Sequence, residues 1–195
     1  SDMNVSLANL GATATQEDAY IGITDSDYRG TLTLNVLGDG LDTYRFNTSG
    51  SYTLSHESVL ILSEGVKLIG PETEDFHVRG KLTVEGAELK FHRMVVWSGE
   101  VDVRNSKIET TTTEYWTIHV YGGRLFFDGC EFVNAHIACV SACELNIHNA
   151  TIAHAQVEGD ALLENVTVTE QLFIKGGTVS GSGVVFTGSG QVMAL

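Results

Sequence analysis

The side chains best suited to chemistry in this chain are seven histidines, His56, His77, His92, His119, His136, His148 and His154. A zinc centre gathers imidazoles and thiolates, and neither HExxH nor a pair of histidines two residues apart occurs to do so locally. The cysteines Cys130, Cys139 and Cys143 form no CxxC, and their odd number reads as buried free thiols acting as small hydrophobes. Hard oxygen donors gather at Glu17-Asp18, Asp25-Ser26-Asp27 and Glu72-Thr73-Glu74-Asp75 without the spacing of an EF-hand or RTX loop. The expectation is therefore no cofactor, with calcium at an acidic loop as the exception to weigh. Sequons stand at Asn4, Asn47, Asn149 and Asn165, but turn geometry explains the last two without a glycan.

With 195 residues, 43% of them hydrophobic, the chain can bury a continuous core as one domain. A formal charge of −14 and only 11 Lys and Arg repel phosphate backbones and anionic membrane surfaces, so no nucleic-acid partner is expected. No run of about 18 apolar residues suggests insertion into a membrane, and the opening SDMNVSLANLG has neither the charged start nor the apolar core of a secretion signal. With 21 Gly, one Pro and no i, i+3, i+4, i+7 apolar stripe, the chain reads as strands and turns with no helix.

Those strands repeat. ELNIHNATIAHA alternates apolar and polar residues, breaks at Asn149 and resumes, and five more segments break alike at Gly86, Asn105, Gly129, Asn165 and Gly183. Breaks at 86, 105, 129, 149, 165 and 183 are separated by 19, 24, 20, 16 and 18 residues. Four and two residues before each break stand pairs such as Leu82 and Val84 or Leu145 and Ile147. Three after it come Leu89, Ile108, Phe132, Ile152, Val168 and Phe186. Gly and Asn are the residues that most readily adopt a left-handed backbone, and irregular spacing near twenty fits the coils of a solenoid.

This pattern resembles the right-handed parallel β-helix of the pectin-lyase-like superfamily, over roughly Ser58 to Leu195. The resemblance implies an all-β solenoid of about six to eight coils across residues 58–195, with residues 1–57 as a cap, an arm or irregular first coils. The superfamily contains lyases, hydrolases, phage tail spikes and adhesins. Its calcium-dependent lyases use acidic ligands beside a basic residue, and its hydrolases carry paired Asp, a Gly-His-Gly turn and an Arg-Ile-Lys string. None of those strings occurs here.

Parallel strands place equivalent residues of successive coils about 4.8 Å apart, so the alignment predicts which outward side chains meet. One column runs Lys81, Glu100, Arg124, Glu144, Asp160 and another Glu85, Arg104, Asp128, His148, Glu164. The largely alternating signs describe a solvated face stabilised by cross-strand pairs, with His148 as a rung instead of a base. The strand closing each coil differs. Two residues before the closing Gly stand Trp97, Tyr121, Ser141, Val157 and Lys175, and four before it Val95, His119, Cys139, Ala155 and Phe173. If Val96 and Val120 point inward, Trp97 and Tyr121 are exposed aromatics on adjacent coils. An insertion, Thr110 to Trp116, adds Tyr115 and Trp116 nearby, and loops on one side of a solenoid commonly carry specificity.

The expected ligand-binding residues are thus Trp97, His119, Tyr121, Tyr115, Trp116 and Lys175, with no catalytic residues. The expected function is a non-enzymatic module of tail-spike or adhesin kind, extracellular or on a cell or virion surface, binding a glycan or a cell-surface protein. The alternatives are a polysaccharide lyase or glycosidase with an atypical or inter-subunit site, and a self-assembling structural β-helix. QVMAL follows a coil without a polar cap, so a homo-oligomer such as a trimer, or a piece of a longer chain, is expected.

Overall fold

The structure is a computed structural model, and it describes residues 3–7, 10–16, 18–24, 28–47 and 49–194. The clusters at Asp25-Ser26-Asp27 and Glu17 lie outside those residues. The chain winds as an all-β parallel solenoid of about eight turns, a right-handed parallel β-helix with no helical element among the described residues. Each coil contributes a strand to each of three walls. The first wall holds Gly30–Leu34, Ser58–Leu62, Lys81–Glu85, Glu100–Arg104 and Gly123–Asp128, continuing into the openings of two long strands, Cys143–Val157 and Asp160–Ile174. The second wall runs through Thr43–Phe46, Lys67–Ile69, Glu88–Phe91 and Lys107–Thr110. The third runs through Tyr52–Leu54, Asp75–Val78, Arg93–Val96, Ile118–Val120 and Ile137–Cys139, then the ends of the two long strands. Strands before Ser58 join the same sheet, with Met3–Ser6 and Gly30–Leu34 extending the first wall, while Ala12–Thr13 and Gly38–Asp39 pair as a separate two-stranded sheet.

Strand alternation explains why the walls close on one core. Leu60, Leu82, Val101, Leu125 and Leu145 form one inward file, and Leu62, Val84, Val103, Phe127 and Ile147 the next. All of them are buried. Full burial of each such side chain contributes roughly 1.5–3 kcal/mol. Each exposed ion pair contributes about 0–1 kcal/mol. The core therefore holds the solenoid together, and the charge ladders tune register. Those ladders pair as expected from the sequence, Lys81 to Glu100 to Arg124 to Glu144 and Glu85 to Arg104 to Asp128 to His148. Ion pairs close at 3.0 Å for Lys81 with Glu100, 2.9 Å for Arg124 with Glu144 and 3.2 Å for His148 with Glu164.

The break column has positive φ throughout, from 48° at Asn105 to 65° at Gly183. Its asparagines also bond along the axis. Asn165 Nδ2 donates to Asn149 Oδ1 at 3.1 Å, and Asn149 Nδ2 to Asp128 Oδ1 at 2.7 Å.

The cysteines depart from the sequence expectation. Cys139 and Cys143 form a disulfide, while Cys130 is free and buried, its thiol pushed up to about 11 by desolvation. The bridged pair spans a corner between the third and first walls. Cys143 sits in register with Gly123 there, and at Gly123 a Cβ would lie only 2.1 Å from Gly99 O. A side chain fits that corner in one coil because its path is one residue longer.

Candidate functional site

Backbone hydrogen bonds define one outward column on the third wall. Trp97 N donates to Val78 O, Tyr121 N to Val96 O, Val140 N to Val120 O, Glu158 N to Cys139 O and Lys175 N to Val157 O. Each step advances one coil and returns to the same outward position, giving the order Arg79, Trp97, Tyr121, Val140, Glu158, Lys175. The neighbouring column runs His77, Val95, His119, Ala138, Gln156, Phe173.

These columns correct part of the sequence alignment. Cys139, Ala155 and Val157 point into the core, fully buried, and Ala138, Gln156 and Glu158 take the outward positions assigned to them. Val140 likewise replaces Ser141 beside Tyr121. The number of residues between the third wall and the corner varies from coil to coil, so counting back from a closing glycine slips by one.

Val96 and Val120 are completely buried, and the residues that follow them, Trp97 and Tyr121, are 41% and 43% exposed. The two rings lie 4.8 Å apart between centroids at 15°, a stack whose spacing is that of the coils themselves. Trp97 Nε1 donates to His77 Nδ1 at 3.2 Å, and the Arg79 guanidinium lies 5.9 Å from the Trp97 ring centre. His119 stands beside Tyr121 with ring centres 6.2 Å apart. Trp97 is thus flanked by Arg79 and Tyr121, whereas the next residue beyond Tyr121 is the small Val140.

The insertion does not project. It folds flat along the outside of the third wall as a strap. Thr110 Oγ1 donates to Asn134 O at its start, and His136 N donates to Thr117 Oγ1 just past its end. Glu114 accepts from Arg93, whose guanidinium also holds Asp75 through two bonds of 2.8 Å. Those carboxylates raise the Arg93 pKa further, and Asp75 is thereby engaged as an ion-pair partner. The Trp116 carbonyl accepts from His119 Nε2 at 3.0 Å, and the indole meets Phe173 edge-on at 6.2 Å. The outward residues Ala138 and Gln156 are buried at 0% and 6% exposure.

Beneath Tyr115 lies an arrangement that local spacing does not reveal. Its hydroxyl is 2.5 Å from His154 Nδ1 and 3.0 Å from Gln171 Oε1, while His154 Nε2 is 2.6 Å from Glu170 Oε2. His136 Nδ1 donates to Tyr115 O at 2.7 Å, and the His136 and His154 rings are 4.6 Å apart. Burial, with the neighbouring His136 adding to it, pushes His154 below the usual imidazole pKa despite Glu170. Burial, then Glu170, pushes the Tyr115 phenol up. A neutral His154 that donates from Nε2 to Glu170 accepts from Tyr115 at Nδ1, which fixes its tautomer.

Of the six residues picked from sequence, Trp97 and Tyr121 form the exposed stack, with His119 beside it. Tyr115 and Trp116 form the strap, and exposed Lys175 stands in the same column three coils on from Tyr121. Sequence reading missed Arg79, Val140, Glu158 and the pair His136 and His154. The two histidines are 18 residues apart, a coil length that places them in adjacent rungs. Among the described residues no group of His, Cys, Asp and Glu is placed to hold a metal ion.

No family model, curated protein or solved structure matches this chain.

Proposed function

We propose that the protein is a non-enzymatic surface module that binds a glycan through the outward aromatic column of its third wall. One observation carries the reading: Trp97 and Tyr121 are stacked in register and exposed although their inward neighbours are fully buried. Two large rings held at the surface by a rigid sheet gain little from folding there, and they supply a preordered apolar area for a ring-shaped ligand. The Cys139 to Cys143 disulfide supports an oxidising, extracellular or surface location. A glycan array probed with wild type and with the Trp97→Ala, Tyr121→Ala double variant tests the proposal. Binding by wild type and its loss in the variant is the expected result. Equal binding by both, or none by either, overturns it.

One observation favours a second reading. Tyr115, His154 and Glu170 place hydroxyl, imidazole and carboxylate in hydrogen-bond series, the connectivity of an activated hydroxyl with an oriented base. In a polysaccharide lyase the Tyr115 oxygen would take the proton beside the substrate carboxylate while its own passes to His154 Nδ1, the C–O bond to the departing sugar would break as the double bond forms, and a proton would return through Tyr115 to the departing oxygen. Uronate polymers incubated with wild type and Tyr115→Phe, followed by absorbance of an unsaturated product, distinguish the cases. A flat trace for both leaves the series as the clasp of the strap.

A further inference from the structure

The aromatic column does not end evenly. Above Trp97 stands Arg79, so that end of the stack is covered. Below Tyr121 the backbone places Val140 and then Glu158 at successive outward positions. The rungs on either side of Val140 are two coil rises apart, roughly 9–10 Å. That separation admits one ring of stacking thickness between the Tyr121 face and Glu158, over Val140 as floor. The floor is fixed, because Val140 lies within the loop closed by the Cys139 to Cys143 disulfide.

The polar side of this slot is defined as well. Glu158 Oε1 accepts from Gln156 Nε2 at 2.9 Å, which orients the carboxylate and leaves Oε2 for a ligand donor. Glu158 also lines a recess of about 900 Å³ at the corner of the third and first walls, with Glu144, Asn146, Asp160, Thr178 and Ser180. Slot and recess share that residue. The recess sets the carboxylates of Glu144, Glu158 and Asp160 against one cation, Arg124, which is paired with Glu144 at 2.9 Å, and the protein carries a net charge of −14. Such a surface accepts hydrogen bonds from hydroxyls and repels carboxylated or sulfated sugars.

We propose that the space between Tyr121 and Glu158 is a subsite for one uncharged pyranose, stacked as the next ring of the Trp97 and Tyr121 column. A hydroxyl or amide N–H of the sugar donates to Glu158, and the neighbouring sugars lie in the recess. This rests on the glycan-binding reading above and narrows it to neutral hexose or N-acetylhexosamine chains.

Isothermal titration with cellohexaose, mannohexaose, chitohexaose and a galacturonate hexamer tests it. At least one neutral oligosaccharide binds and the galacturonate does not. Tyr121→Ala abolishes that binding. Val140→Phe, which fills the slot with a ring while lengthening the stack, abolishes it too, and Glu158→Gln weakens it about tenfold. Circular dichroism melts show that each variant is folded. Binding lost in Tyr121→Ala but kept or strengthened in Val140→Phe overturns the slot and leaves the aromatic face as a flat platform. Preference for galacturonate overturns the neutral class. Failure of every sugar to bind wild type overturns the slot and the glycan reading together.

Discussion

The Tyr115 hydroxyl meets His154 Nδ1 at 2.5 Å across 39 residues of chain, and this contact pins the strap to a coil beyond the one that carries it. The strap thereby joins successive coils from outside, where the inward files join them from within. Tyr115→Phe keeps the ring contacts and deletes the hydroxyl, leaving His154 Nδ1 without its donor. The expected cost is about 1–2 kcal/mol in urea unfolding, and an unchanged midpoint would show that the clasp contributes nothing.

The burial of His154 sets a pH dependence. Burial lowers the His154 pKa in the folded protein below its ordinary value of 6.5. An unfolded chain therefore takes up a proton that the folded chain resists. His154 contributes full stability above pH 6.5 and loses it as the pH falls through its lower folded value. Melting temperature followed downward from neutral pH should drop in that window, and less so in His154→Gln. A wild-type profile identical to that of the variant would remove His154 as the cause.

Backbone positions offer a contrast between crowding added to strain, at Gly123 with φ of 96°, and strain alone. At Gly123 a Cβ would sit 2.1 Å from Gly99 O, whereas at Gly11, with φ of 61°, it meets nothing within 4 Å. Gly123→Ala forces neighbouring coils apart and should cost more than about 3 kcal/mol. Gly11→Ala carries only left-handed strain, about 1 kcal/mol. Thermal melts giving equal losses would contradict the tight corner.

The disulfide closes a short loop, with a sequence separation of 4. Constraint of the unfolded chain then supplies about 2 kcal/mol, so the double change Cys139→Ala, Cys143→Ala should lower stability by that order and leave the far-ultraviolet spectrum unchanged. Mass spectrometry of the alkylated native protein should find modification at neither cysteine. Labelling of both would contradict the bridge.

Much of the architecture is legible in the sequence, for a physical reason. Parallel stacking repeats each inward position, so the files through Leu82 and Leu145, the left-handed Asn149 and the alternating charges from Lys81 to Glu144 were visible as columns. The third wall was read less well because its corner lengths vary. Cys139 and Ala155 therefore looked outward, and Val140 and Glu158 went unnoticed. Where the Thr110 to Trp116 insertion lies was not legible either. Its contacts with His136, His154 and Phe173 are tertiary, and nothing in the local pattern distinguishes a strap from a projecting loop.

The outward column from Trp97 to Glu158 is the centre of the functional account, and Tyr121 is the residue common to its stack and its slot. The most direct test is the affinity of wild type and Tyr121→Ala for the neutral oligosaccharide that wild type binds best, measured by titration on proteins of equal melting temperature. Saturable binding by wild type and none by the variant is expected. Undiminished affinity in Tyr121→Ala would contradict it.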